Sequence, residues 1–136
     1  MSMERVLTFH RVHWQQMRDH VDQEAPLEAC GLLAGKEGRV QEVIPVRNQA
    51  QSPVRFLMDP YEQLHAFARI DVSGMELLGI FHSHPTGPET ASLTDIAEAA
   101  YEVVHVIWSR SAVGWKARGF WIEIGRAAEI PLQIVE

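Results

Sequence analysis

Two histidines and an aspartate have the spacing of a metal site. His82 and His84 flank a single serine, and residues i and i+2 of an extended chain point to one face, roughly 6.6 Å apart. Asp95 follows a loop rich in proline and glycine, in the first turn of a predicted helix. Two neutral imidazoles and one carboxylate leave the fourth position of a zinc ion open for water, as in catalytic zinc sites. The chemistry indicated is hydrolysis, because zinc lowers the pKa of a bound water from about 15.7 to near 7.

On these residues alone, other interpretations stay open. Paired histidines occur on exposed strands, and Ser92-x-x-Asp95 is also typical of a capped helix N-terminus. Two histidines and a carboxylate can also form the facial triad of a mononuclear iron oxygenase. His65 and His105 are isolated from this cluster in the sequence, and we expect neither of them to have a function.

The residues that would position this cluster alternate between strand and helix patterns. Residues 76–82 (ELLGIFH) form a short apolar run typical of a central strand. A helix is predicted from Ser92 to about Tyr101, and Asp59-Pro60 predicts the start of another. Further strands are predicted over residues 6–9, 29–34, 39–46, 56–58, 103–109, 115–124 and 130–135, and a first helix over residues 10–24. Because strands and helices interleave, the predicted fold class is α/β, with a mixed sheet covered by helices.

Composition and charge narrow the classes of function. The chain has 136 residues, 22% charged and 46% hydrophobic, which is ordinary for one soluble globular domain. Its net charge of −6 disfavours nucleic acid and anionic membranes as partners, because both require basic surfaces. Cys30 is the single cysteine, and no apolar run reaches the roughly 18 residues of a transmembrane helix. We therefore expect a cytoplasmic protein with one domain over residues 1–136.

The motif around the two histidines resembles that of the JAMM (MPN+) metalloprotease family. The family pattern is an upstream glutamate, then His-Ser/Thr-His-Pro, and then Ser-x-x-Asp, with seven residues, the proline included, between the second histidine and the serine. Here residues 82–85 (HSHP) and 92–95 (SLTD) have that spacing, and residues 26–35 (PLEACGLLAG) are similar to the glutamate-bearing segment. Residues 55–60 (RFLMDP) agree in order as well, so the resemblance extends over nearly the whole chain.

The resemblance implies a role for each matching residue. His82, His84 and Asp95 would ligate one zinc ion per chain, with water as the fourth ligand. Glu28 would take a proton from that water and later give it to the leaving amine. Ser92 would donate a hydrogen bond to the developing oxyanion.

The family fold is a mixed sheet sandwiched by helices, similar to that of cytidine deaminases. Deaminase activity is not expected, because the HxE and PCxxC elements are absent. Ala91 stands where bacterial members often have proline, a departure that removes no chemical group. The chain has little length for the insertions of members that cleave polyubiquitin, and it most resembles stand-alone bacterial members.

Those bacterial members are similar to enzymes that act on ubiquitin-like sulfur-carrier proteins ending in Gly-Gly. The resemblance therefore implies a zinc-dependent isopeptidase that hydrolyses the bond after Gly-Gly, with such a carrier or a peptide as its substrate. The alternative is a non-catalytic MPN-type interaction scaffold, which the presence of all five motif residues disfavours. The oligomeric state, with a homodimer among the alternatives, and the need for an activating partner stay open.

Overall fold

A computed structural model describes residues 5–97, 99 and 101–136. In this part of the chain the elements are β1 (Leu7–His10), α1 (Arg11–Glu24), β2 (Cys30–Lys36), β3 (Arg39–Val46), α2 (Pro60–Val72), β4 (Glu76–His84), α3 (Leu93–Ala97), β5 (Val104–Ser111), β6 (Gly114–Glu123), β7 (Arg126–Ile130) and β8 (Leu132–Val135). Among the helices described, none has the length and apolar character needed to cross a membrane. That residues 1–136 form one domain stays a prediction.

The strands form one mixed sheet in the order β7-β6-β5-β4-β2-β3-β1-β8. β4 and β5 run parallel, as does β1 with both of its neighbours, whereas the other neighbouring pairs are antiparallel. The hairpin between β2 and β3 turns at Glu37 and Gly38, whose φ angles are 53° and 74°. A two-residue loop with positive φ at both positions matches the twist of the strands that it joins. The predicted α/β class with a mixed sheet is confirmed.

Helices cover both faces of the sheet. On one face, α1 buries Met17 in a core that also contains Phe81 of β4. On the other face, α2 packs over a second core that contains Ile80. Because successive side chains of a strand point to opposite faces, His82 and His84 lie on the same face as Ile80. The histidines therefore lie on the side of the sheet that α2 covers.

The C-terminal segment differs from the single edge strand predicted for residues 130–135. Two strands lie there, β7 and β8, and they occupy opposite edges of the sheet although one residue, Pro131, separates them. The sheet curves until these edges meet: Leu7 N donates to the Pro131 carbonyl oxygen at 3.3 Å. At Gly119 of β6, a Cβ atom would lie 2.6 Å from Leu132 Cδ2, so a larger residue would force the Leu132 side chain to shift. Proline ends the β7 ladder because it has no N–H to donate.

Other differences from the predicted elements bear on the region around the histidines. β4 continues to His84, beyond its predicted end at His82. α3 ends at Ala97, and residues 98 and 100 of the helix predicted to reach Tyr101 lie outside the described residues. Residues 56–58 form no strand but a loop with one isolated bridge to Asn48. The start of α2 is as predicted, since the Asp59 side chain accepts from two backbone N–H groups of the first turn.

Candidate metal centre

His82 and His84 lie side by side at the carboxyl end of β4. Both are buried, and their Nε2 atoms are 3.1 Å apart. His84 Nδ1 lies 2.8 Å from the carbonyl oxygen of Pro88. Because that oxygen can only accept, Nδ1 carries the hydrogen, and the neutral form of His84 presents a lone pair on Nε2.

Asp95 brings a carboxylate to the same point from the first turn of α3. Its Oδ1 lies 3.2 Å from His82 Nε2, and its Oδ2 lies 3.0 Å from His84 Nε2. Two hydrogen bonds with Ser92 fix this turn: Asp95 N donates to Ser92 Oγ at 3.0 Å, and Ser92 N donates to Asp95 Oδ2 at 2.9 Å. The arrangement is a capping box with aspartate in the acidic position. A helix cap and a ligand are therefore compatible here.

These three side chains form a triangle that fits one small cation, in which Asp95 turns a different carboxylate oxygen to each histidine. The distances between the atoms are 3.1 Å, 3.0 Å and 3.2 Å. Donor atoms about 2.0–2.1 Å from a tetrahedral zinc ion are about 3.3–3.4 Å from one another. Lone pairs that converge in this way repel unless a proton or a cation lies between them. The dimensions and the donor types therefore fit a divalent ion such as zinc.

The pKa values of the three groups show where charge resides. Burial opposes the charge of Asp95, but hydrogen bonds from the two histidines outweigh it and hold the pKa of that carboxyl far below its ordinary value. Burial lowers the pKa of His82. For His84 burial also acts to lower the pKa, but the hydrogen bond to Asp95 outweighs it and the pKa is raised. The negative charge of the cluster is thus fixed at Asp95.

Glu28 lies just before β2, the strand next to β4. It is 3% exposed, and one of its carboxylate oxygens lies within 4.8 Å of a ring nitrogen of both His82 and His84. Its Oε1 atom has no hydrogen-bond partner among the described residues. Burial, partly offset by the nearby His84 and reinforced by Asp95, raises the pKa of Glu28 to about 8. A carboxyl group that titrates near neutral pH can both accept and release a proton.

Buried hydrogen bonds hold Glu28 in register with the histidines. Ala29 N donates to Ser83 Oγ at 2.8 Å, and Ser83 N donates to the Ala29 carbonyl oxygen at 3.1 Å. Asn48 Nδ2 donates to the Glu28 carbonyl oxygen at 3.0 Å. Sequence reasoning assigned no function to Ser83 or Asn48. For Ser83 a signal exists, because a residue between two candidate ligands on a strand must point to the opposite face of the sheet.

The loop before α2 supplies an aromatic neighbour that sequence reasoning did not single out. The Phe56 ring stacks on the His82 imidazole, with ring centroids 4.5 Å apart and 28° between the planes. The contact orients the imidazole and covers one of its faces. The signal in the sequence was its place in the RFLMDP segment, which resembles the family without indicating a role.

A cavity of about 410 Å³ opens beside the triangle. His82 and Asp95 border it, and Phe56 and Ile80 form part of its apolar wall. The volume lies within the range of small-ligand sites. His105, which is isolated in the sequence, lines the same cavity and is buried. The structure thus brings together all five residues singled out from the sequence and adds His105 beside them.

Known proteins and one family model are similar to this chain. The family described as prokaryotic homologs of the JAB domain matches residues 10–122. A probable TtuB-protein conjugate cleaving protease of Thermus thermophilus is 41% identical over 100 residues, which are 73% of this chain and 67% of that relative. The CysO-cysteine peptidase of Mycobacterium tuberculosis is 31% identical over 121 residues, covering 86% of this chain and 83% of that relative.

Solved structures share the fold. A protein from Desulfitobacterium hafniense, known from a solution structure, is 33% identical with a TM-score of 0.86, covering 96% of this chain and 93% of that one. A JAB1/MPN domain protein from Archaeoglobus fulgidus is 20% identical with a TM-score of 0.60, covering 96% of this chain and 97% of that one. At this identity the similarity shows the fold alone. The predicted family resemblance and the helix-covered mixed sheet are confirmed. Since the match over residues 10–122 includes the glutamate, both histidines and the aspartate of the motif, this chain belongs to the prokaryotic JAB family of JAMM/MPN domains.

Proposed function

We propose that this chain is a zinc-dependent isopeptidase that hydrolyses the bond after the C-terminal Gly-Gly of a ubiquitin-like sulfur-carrier protein. The observation that carries the proposal is the convergence of His82, His84 and Asp95 on one point. Beside them lies a Glu28 carboxylate oxygen that has no hydrogen-bond partner in the described part of the chain. In the reaction, water oxygen adds to the glycine carbonyl carbon, the carbon–nitrogen bond breaks, and the amine leaves with a proton.

His82, His84 and Asp95 are the residues that would hold zinc. Their donor atoms are spaced for a tetrahedral ion, and the hydrogen bond from His84 Nδ1 to Pro88 fixes the tautomer that leaves Nε2 free. Zinc supplies Lewis acidity, which lowers the pKa of water and stabilises negative charge on a carbonyl oxygen. Relatives named as a protease and a peptidase favour a hydrolytic centre over the iron oxygenase that the same donor set would permit.

Glu28 carries the proton between the attacking water and the leaving amine. Its buried carboxyl has an oxygen without a partner among the described residues and a pKa near neutral pH. The ionised form accepts a proton from the water, and the protonated form then gives it to the amine nitrogen as the carbon–nitrogen bond breaks. General acid–base catalysis of this kind contributes about 10²–10⁴-fold to the rate.

Ser92 donates a hydrogen bond to the oxyanion that develops on the glycine carbonyl. Its Oγ accepts from Asp95 N at 3.0 Å, so the hydroxyl oxygen is fixed while its hydrogen remains available to donate. Ser92 is half-buried at the N-terminus of α3, next to the metal-binding aspartate. A single donor in such a position contributes about 10²–10³-fold to turnover.

The substrate class follows from the relatives and from the space beside the metal centre. The names of the relatives refer to TtuB-protein conjugates and to CysO-cysteine. Glycine suits a buried centre, because without a side chain its backbone can approach the ligands closely. The folded body of the carrier stays outside and supplies much of the binding energy. A non-catalytic scaffold is not favoured, because all five motif residues are present and converge.

The test is mass spectrometry of carrier–peptide fusions incubated with wild type, Glu28→Gln and a matched control, Glu76→Gln. Glu76 is exposed at the start of β4, the strand that ends in the two histidines. We expect wild type and Glu76→Gln to cleave just after Gly-Gly, a chelator to abolish the reaction and zinc to restore it. Equal cleavage by wild type and Glu28→Gln would contradict the proposal. So would no cleavage of any carrier by wild type while unstructured peptides are cut.

A further inference from the structure

His105 places an imidazole ring in the wall of the cavity beside the metal centre. It lies on β5, where it pairs with Ile80 of β4, and it is 3% exposed. Its imidazole lines the cavity together with Ile80 and Phe56, next to His82 and Asp95. The cavity therefore combines apolar walls with a buried imidazole, and the polar side chains of Gln63, Thr94 and Tyr101 also line it.

Neither nitrogen of the His105 ring has a hydrogen-bond partner among the described residues. Burial, aided by the nearby His82, lowers the pKa of His105 to about 4, so the ring is neutral, with one donor and one acceptor. The backbone of Tyr101 is close enough to oppose this shift but does not reach hydrogen-bond geometry. Unpaired buried polar groups are costly, and those that native proteins retain often have a ligand or water as partner.

The position of the cavity relative to Glu28 indicates which part of the substrate enters it. The leaving amine must lie near Glu28, which gives it a proton, whereas Glu28 is not among the residues that line the cavity. A cavity that borders His82 and Asp95 but not Glu28 is assigned to the acyl side of the bond, where Gly-Gly has no side chain to fill it. Residues i and i+2 of an extended chain share a face, roughly 6.6 Å apart. The first side chain able to enter is that of the third residue from the end of the carrier.

We infer that this cavity is the subsite for the residue before Gly-Gly, and that His105 makes it selective for a neutral side chain with an apolar stem and a hydrogen-bonding end. The inference rests on the proposed function. The methylene groups of a glutamine would pack against Phe56 and Ile80, and its amide would pair with the imidazole as donor or acceptor. A leucine would fill the walls but leave the imidazole unpaired. A glutamate would bring a second negative charge toward Asp95.

The experiment uses the carrier–peptide fusion that wild type cleaves, with glutamine, leucine or glutamate placed before Gly-Gly. Wild type should have a kcat/KM about tenfold higher for glutamine than for leucine, as expected when a buried polar group gains a partner. His105→Leu should reverse this preference. His105→Gln keeps a donor and an acceptor and should retain it.

The ratio of kcat/KM for the glutamine fusion to kcat/KM for the leucine fusion distinguishes a role of His105 in selectivity from a structural role. If His105 only supports the fold, its variants will lower turnover of all fusions together with the ratio unchanged, which would overturn the inference. A wild-type ratio near one would also overturn it, as when an ordered water alone pairs with the ring. Dissociation constants of the same fusions for zinc-loaded Glu28→Gln give the ratio without turnover, so the inference stays testable should His105→Leu not fold. Failure of wild type to cleave any fusion would instead contradict the proposed function.

Discussion

Glu28 and Asp95 are buried carboxyl groups that face the same two histidines, yet their pKa values move in opposite directions. Burial raises the pKa of Glu28 to about 8. Burial acts in the same sense on Asp95, but hydrogen bonds from both histidines outweigh it and lower the pKa. The difference lies in partners, because Asp95 has two imidazoles and a backbone N–H while one oxygen of Glu28 has none among the described residues. Carboxyl groups whose environments separate their pKa values in this way are suited to different roles.

The largest effect is expected on removing the two histidines that Glu28 and Asp95 share. His82→Ala/His84→Ala should lose the zinc, about one ion per chain, that we expect in wild type, and with it all measurable turnover, because one carboxylate cannot hold the ion alone. Metal analysis of the purified proteins measures this. The matched control is His65→Ala, which changes an exposed histidine and should retain zinc. Full zinc retention in the double variant would contradict the ligand assignment.

A smaller effect is expected at Ser92, which forms two hydrogen bonds with Asp95. Ser92→Ala should keep zinc and lose about 10²–10³-fold in kcat, because one oxyanion donor is removed. Ser92→Thr keeps the hydroxyl and should retain most activity. Ser92→Asn is an equally good helix cap without a hydroxyl, so activity restored by asparagine would mean that Ser92 only caps α3.

The two carboxyl groups should also oppose each other in the pH dependence of stability of the metal-free protein. Glu28 stays protonated in the native state up to about pH 8, whereas it ionises near 4.5 when unfolded. Between these values the unfolded state binds fewer protons, so the free energy of unfolding falls as pH rises, by on the order of 5 kcal/mol. Asp95 acts in the opposite sense, because its pKa is lower in the native state than in the unfolded chain. Its contribution to the free energy of unfolding is therefore lost as pH falls below 3.8, its pKa in the unfolded chain.

Urea unfolding of metal-free wild type and Glu28→Gln across pH 4–9 isolates the Glu28 contribution. The stability of wild type should decline relative to Glu28→Gln as pH rises through this window. Parallel curves would mean that Glu28 ionises in the native state much as it does in the unfolded chain, and the contrast with Asp95 would be lost.

The smallest effect concerns the hydrogen bond that joins the Glu28 segment to the histidine strand. Ser83→Ala leaves the buried Ala29 N–H without its side-chain acceptor, which should lower the free energy of unfolding by about 1–3 kcal/mol. Ser73→Ala removes the hydrogen bond from an exposed serine to the Ile70 carbonyl oxygen and should cost less than about 1 kcal/mol. Denaturation in urea compares the two, and equal losses would contradict a special role for Ser83.

The proximity of the three proposed ligands was predictable because its geometry is local. The i, i+2 alternation of a strand places His82 and His84 on one face, and a helix start places Asp95 after a short loop. Glu28 was found through the family resemblance, since no local spacing connects it with the histidines. Its proximity to them depends on the pairing of β2 with β4, which the sequence pattern does not specify.

Features that depend on strand order and loop path were not predictable. His105 reaches the cavity because β5 pairs in parallel with β4, and Phe56 stacks on His82 because residues 56–58 form a loop instead of the predicted strand. The C-terminal segment was predicted as one edge strand, but Pro131 divides it between two edges that meet only through the curvature of the whole sheet. Local propensity contains no information on that curvature.

The central claim, that one carboxylate binds the metal and the other transfers the proton, is tested by the same chemical change at both positions. Glu28→Gln and Asp95→Asn each replace one carboxylate oxygen with an amide, and zinc content and kcat are measured on the same samples. Glu28→Gln should keep about one zinc per chain and lose about 10²–10⁴-fold in kcat, whereas Asp95→Asn should lose both zinc and turnover. Loss of zinc from Glu28→Gln, or near-wild-type turnover in it, would contradict the division of roles between Glu28 and Asp95.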